Sequence, residues 1–158
     1  MLGSPRSVDC NRGEGMKVGD ISKLAAIELQ TISPDRPVQE AVARLVERNI
    51  GALPVCEQDG RVVGIITERD VLRLVADQPV ADAMGKAVGE IMTRDLVIGV
   101  PDDDIGYVMR VMTEHRIRHL PILDGERLVG IISIGDVVKA KMEESSTELR
   151  FLRDYVAG

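Results

Sequence analysis

Apolar positions along the chain recur with two different periods, and their alternation defines the elements. Val38, Ala41, Val42 and Leu45 stand at i, i+3, i+4 and i+7, and Ile105, Val108, Met109 and Met112 repeat that spacing. Both sets predict an amphipathic helix. Each is followed by a short apolar run, Ala52–Cys56 or His119–Leu123, then by Asp59-Gly60 or Asp124-Gly125 and a second run, Arg61–Ile66 or Arg127–Ile132. An Asp-Gly pair between two apolar runs is a hairpin signal. Further helices are expected at Val71–Ala76 and Val137–Met142, and extended segments at Thr31–Ser33 and Val97–Val100. Each half therefore reads β-α-β-β-α, an α/β chain of the α+β type.

The halves are copies of one another. Pro34, Val38, Ala41, Leu45 and Pro54 correspond to Pro101, Ile105, Val108, Met112 and Pro121, each 67 residues on. Beyond the Asp-Gly turns the offset is 66, pairing Gly64, Thr67 and Asp70 with Gly130, Ser133 and Asp136. One residue is missing from a hairpin loop, where length changes cost least. The lead-ins Val18-Gly-Asp-Ile21 and Val88-Gly-Glu-Ile91 also match. An internal duplication follows, with a tail at 1–15, a first repeat at 16–78, a linker at 79–87, a second repeat at 88–142 and a last amphipathic helix at 143–158. In that last segment Ser145-Ser-Thr-Glu148 has the spacing of a capping box. The helix it would open carries Leu149, Leu152, Tyr155 and Val156 along one face. Pairing with a second copy and folding back on its own domain both remain open.

Composition narrows the functional classes. The 158 residues suffice for one compact domain, whereas a single repeat would bury too little apolar surface alone. A net charge of −6 argues against a general nucleic-acid or anionic-membrane surface. No apolar run approaches the length needed to span a bilayer, and residues 1–15 lack the apolar core of a signal peptide. The two cysteines, Cys10 and Cys56, make neither a disulfide framework nor a metal knuckle. The expected setting is reducing and cytoplasmic. Asp35 and Asp102–Asp104 precede the amphipathic helices, where carboxylates complement the helix dipole, so they read as caps rather than a metal site. His115 and His119 are spaced i, i+4, but the chain should be turning into strand there, and no metal is expected.

Chemistry concentrates at two turns, Gly64-Ile-Ile-Thr67-Glu-Arg-Asp70 and Gly130-Ile-Ile-Ser133-Ile-Gly-Asp136. Each places a hydroxyl and a carboxylate three residues apart at a helix start. Such a start favours phosphate, and a carboxylate there can accept from ribose hydroxyls. The same spacing also suits a capping box, in which the two side chains satisfy backbone amides and bind nothing. Duplication copies caps as readily as sites, so recurrence does not decide between them. Basic neighbours tilt the balance towards a ligand, since a cap requires no cation. Arg118 and His119 lie at the mouth of one strand, where the first repeat has Gly51 and Ala52; Arg69 lies inside the first turn, where the second has Gly135.

The tandem β-α-β-β-α units, the Gly-Ile-Ile-[Thr/Ser]-x-x-Asp turns and the Arg118-His-Leu-Pro-Ile strand resemble a pair of cystathionine-β-synthase (CBS) domains, the Bateman module. The resemblance covers about residues 16–142. It implies two repeats packed with pseudo-twofold symmetry and a regulatory ligand of the adenine nucleotide class (AMP, ADP, ATP, NAD, NADH or S-adenosylmethionine) in the clefts between them. It also implies a homodimer, with an unidentified protein target as a further candidate partner; the charge and the short apolar runs leave nucleic acid and membrane out of the expected partners. The expected ligand contacts are Thr67, Arg69 and Asp70 in the first repeat and Ser133, Asp136, Arg118 and His119 in the second, with Pro121 in the adjoining strand. Ile98, Ile117 and Ile32 are candidate walls for the adenine, though each could equally be ordinary core. Ser133 and His119 are expected near phosphate and Asp136 on ribose, making the second repeat the better phosphate site. Arg118 could equally be a solvated charge or an interface residue, since neighbouring strand residues point to opposite faces. No Walker A loop, Gly-x-Ser-x-Gly elbow or metal cluster supports an enzyme. A purely structural dimer with capped turns is the alternative, and a nucleotide hydrolase the weaker third.

Overall fold

The computed structural model describes residues 15–21 and 28–157. The expected tail at 1–15, with Cys10, lies outside that range except for Gly15. The chain forms two compact units. The first contains helix α1 (Val38–Arg48), strands β1 (Ala52–Cys56) and β2 (Val62–Thr67), and helices α2 (Glu68–Asp77), α3 (Val80–Gly85) and α4 (Val88–Ile91). The second contains a 3-10 turn (Val18–Asp20), helix α5 (Ile105–Glu114) and helix α6 (Ile134–Ala157). Strands β3 (His119–Asp124) and β4 (Arg127–Ser133) pair as a second hairpin, of which β3 and residues 129–133 belong to the second unit.

Strand β1 pairs antiparallel with β2, Leu53 opposite Ile66 and Val55 opposite Gly64, with an irregularity at Val55/Cys56. The expected extended segments add a short parallel bridge to each hairpin, Ile32 to Val55 and Gly99 to Ile122. The hairpin turns are closed by Gly60 (φ +84°) and Gly125 (φ +63°), conformations open to glycine at little cost. Ile32, Ala41, Leu45, Leu53, Val55, Ile66, Val88 and Met92 form the core of the first unit. In the second, Ile105, Val108, Met112, Leu120, Ile122, Ile132, Val137 and Ala140 are buried. The periodic positions of the two amphipathic helices thus supply much of both cores.

Each lead-in packs with the repeat that it does not precede. In the second unit the amides of Val18 and Gly19 donate to the carbonyls of Asp103 and Pro101, both at 2.9 Å. In the first, Val88 and Gly89 donate to Arg36 and Pro34 at 2.8 and 2.9 Å. The acceptors are equivalent positions of the duplication.

Three local expectations are corrected. Asp35 caps nothing: α1 starts after Pro37 with no side-chain cap, whereas Asp104 caps α5 by accepting the Tyr107 amide at 3.2 Å. The expected linker contains α3, held by the fully buried Ala83. The Ser145–Glu148 capping box does not form, because α6 runs unbroken through it. There Ser146 and Thr147 donate to the carbonyls of Met142 and Glu143 one turn back, an alternative open to hydroxyls inside a helix.

Candidate functional site

Both predicted turns sit where β2 or β4 hands over to a helix. Thr67 is the N-cap of α2: its Oγ1 accepts the Asp70 amide at 3.3 Å, and Asp70 Oδ2 accepts the Thr67 amide at 2.9 Å and hydroxyl at 3.0 Å. The second unit reproduces this. Asp136 Oδ2 accepts the Ser133 amide at 2.8 Å and hydroxyl at 2.9 Å, while Ser133 Oγ accepts the Asp136 amide at 3.2 Å. The reciprocal capping geometry is therefore complete in both, and it uses one oxygen of each carboxylate. The other oxygen of Asp70, Oδ1, accepts the hydroxyl of Thr93 at 3.3 Å. Thr93 was not legible as a site residue. It lies 23 residues downstream, and the antiparallel bridge from Thr93 to Ile65 carries it there.

A second contact fixes what stands beside each helix start. The first amide of α6, from Ile134, donates to the carbonyl of Arg118 at 2.8 Å; the first amide of α2, from Glu68, donates to Gly51 at 3.1 Å. The backbone is the same in both units, but the side chains differ. Arg118 is exposed and His119 half-buried, so the second unit has two nitrogen-bearing residues where β3 begins, and its backbone there meets the start of α6. In the first, Gly51 has no side chain and Ala52 is buried opposite Thr67. Its cation, Arg69, is exposed in the first turn of α2.

The candidate apolar walls divide. Ile32 is 2% exposed and belongs to the first unit's core, so it offers a ligand almost no surface. Ile98 and Ile117 are half-buried and retain accessible surface. Pro121 is buried, and its carbonyl accepts the Gly99 amide at 2.9 Å, so it shapes the strand and has no free face. Among the described residues no group of His, Cys, Asp and Glu side chains is placed to hold a metal ion. No described helix is long and apolar enough to cross a membrane.

A family model for the CBS domain matches residues 18–77 and 88–143. The chain belongs to the CBS domain family. It is 37% identical over 130 residues to the CBS domain-containing protein YhcV of Bacillus subtilis, covering 82% of this chain and 90% of that one. It is 38% identical over 127 residues to the mitochondrial CBS domain-containing protein CBSX3 of Arabidopsis thaliana, where the match spans 78% of this chain but 62% of the longer relative. Among solved structures, a CBS-domain protein from Agrobacterium tumefaciens aligns with TM-score 0.75 and 39% identity over 80% of this chain and 99% of its own. Two CBS neighbours at 28% identity were solved with adenosine ligands. They are CBSX2 with AMP (TM-score 0.68, covering 82% of this chain and 98% of that one) and the CBS domain pair of protein MJ0100 with 5′-methylthioadenosine and S-adenosyl-L-methionine (0.66, covering 78% and 94%).

Proposed function

We propose that this CBS pair is a regulatory module that binds an adenine nucleotide at its Thr/Ser-x-x-Asp helix starts and passes the signal on through dimer geometry or a partner protein. The observation that carries the reading is the Arg118 carbonyl on the Ile134 amide. It brings the backbone where β3 begins, at Arg118, against the start of α6, which Ser133 and Asp136 cap. A guanidinium, a hydroxyl and a helix N-terminus suit phosphate, and a carboxylate at a helix start suits ribose. The adenosine ligands of the two structural neighbours support the same chemistry. AMP, ADP, ATP, NAD and NADH share the adenosine that these residues would read. In this reading the module is cytoplasmic, performs no catalysis, and acts because its ligand prefers one of two states. Ligand recovered unchanged after prolonged incubation with Mg²⁺ is the expected result; hydrolysis would overturn that part.

A second reading has its own support. Both capping boxes are completed by the chain's own hydroxyls, carboxylates and amides, as a structural dimer with capped turns requires. A thermal-shift panel of AMP, ADP, ATP, NAD, NADH and S-adenosylmethionine separates the two. Ligand at 100-fold over Kd stabilises by about 2.7 kcal/mol, several degrees at about 2–4 °C per kcal/mol. A shift in wild type that Asp136→Ala removes supports the sensor. Identical responses of wild type and Asp136→Ala to every nucleotide leave the structural dimer.

A further inference from the structure

Helix α6 buries one face against its own unit and leaves another exposed. Val137 and Ala140 are buried and Glu144 is half-buried, whereas every residue from Ser145 to Ala157 is exposed. On the open face stand Val138, Met142, Ser145, Leu149, Leu152 and Val156, at successive steps of 4, 3, 4, 3 and 4 residues. The five apolar members are between 43% (Val138) and 83% (Val156) exposed. Alternating steps of three and four make a heptad seam, the pattern of a left-handed two-helix coiled coil. With Met142, Leu149 and Val156 at a, the d positions are Val138, Ser145 and Leu152.

The flanking charges choose the occupant and its direction. Glu148 falls at g and Arg153 at e of the next heptad. Against a second copy in parallel, Glu148 faces Arg153 of the other helix, and the pair occurs twice by symmetry. In an antiparallel pair with Leu152 opposite Met142, Glu148 would face Glu148 and Lys139 would face Arg153. Both of those contacts are repulsive. We infer that α6 pairs in parallel and in register with α6 of a second copy through the Val138–Val156 seam. The inference deepens the self-association in the function proposed above, but it requires no nucleotide. A flat nucleotide panel would leave it standing, and its failure would leave nucleotide binding standing.

Sedimentation of the full chain without nucleotide tests the seam. The expected result is a dimer whose dissociation constant rises by about tenfold or more in Leu149→Glu/Leu152→Glu. These positions are exposed, so the circular dichroism of the variant should match wild type. Ser145→Leu, which fills the one polar seam position, should tighten the dimer. Glu148→Arg should loosen it, and Arg153→Glu added to Glu148→Arg should restore it. In a Cys10→Ser/Cys56→Ser background, Leu152→Cys should cross-link to itself on oxidation, since only the parallel register places the two side chains together. A monomer at every concentration would overturn the proposal and leave the stripe to a different protein. So would a dimer indifferent to Leu149→Glu/Leu152→Glu. Cross-linking of Met142→Cys to Leu152→Cys in preference to Leu152→Cys with itself would also overturn it.

Discussion

The backbone amide of Met16 donates to Oε1 of Glu144 at 3.0 Å, joining residues 128 apart in sequence. The other carboxylate oxygen accepts the Lys141 ammonium, also at 3.0 Å. Glu144 therefore ties the described start of the chain to the middle of α6 within the second unit.

The Lys141 ammonium, and after it the Met16 amide, hold the Glu144 carboxyl below its ordinary value of 4.5. A carboxyl depressed on folding contributes stability that is present above its unfolded value and lost as pH falls through the folded one. Glu144→Gln keeps an acceptor for Met16 but loses the charge. It should lower stability at pH 7 by at most about 1 kcal/mol, since Lys141 is half exposed. The difference from wild type should close as pH drops below 4.5. Urea denaturation at neutral and strongly acidic pH reads both.

Asp70→Ala and Asp136→Ala should each cost about 1 kcal/mol, because each removes one half of a complete cap. They should differ in ligand response. Asp136→Ala is expected to abolish most nucleotide stabilisation and Asp70→Ala a smaller share. Arg118→Ala, at an exposed position, should leave stability unchanged and weaken nucleotide binding by about tenfold. Isothermal titration of the three variants checks the order, and the reverse order would move the phosphate site to the first unit.

Gly64→Ala should destabilise by about 1–3 kcal/mol, the range for overpacking. A Cβ there would lie 2.5 Å from Met92 Sδ and 2.9 Å from the Thr93 carbonyl oxygen. The methionine can swing away. The carbonyl cannot, because it accepts the Ile65 amide at 3.0 Å. Equilibrium denaturation measures the loss, and a neutral substitution would mean that the Ile65–Thr93 bridge yields freely.

Arg116→Gly should stabilise the chain by about 0.5–1 kcal/mol, part of what an L-residue pays in the left-handed region. Arg116 has φ +54° just beyond α5, and its duplicate after α1, Asn49, has φ +51°. Asparagine tolerates that conformation and arginine does so less readily. A higher midpoint in thermal unfolding is the expected readout.

What was legible in the sequence was local. Apolar periodicity located α1 and α5, the Asp-Gly pairs located both hairpins, and the three-residue spacing of Thr67 with Asp70 and Ser133 with Asp136 set hydroxyl against carboxylate at two helix starts. Such features depend on neighbours within one or two turns of chain. The capping box at Ser145–Glu148 misled for the same reason. Its spacing is right, but hydroxyls at 146 and 147 bond one turn back and the helix runs on.

The duplication, the order of elements within each repeat and the asymmetry between Arg118-His119 and Gly51-Ala52 can be read along the chain, because all three are written in residue identity and spacing. Folding in three dimensions settles that Ile32 is core while Ile98 and Ile117 keep surface, that Thr93 reaches Asp70, and that Val18 and Val88 each pack with the opposite repeat. Those outcomes depend on which backbone amides and apolar faces meet after the chain crosses between its units, and a spacing along the chain does not encode that meeting.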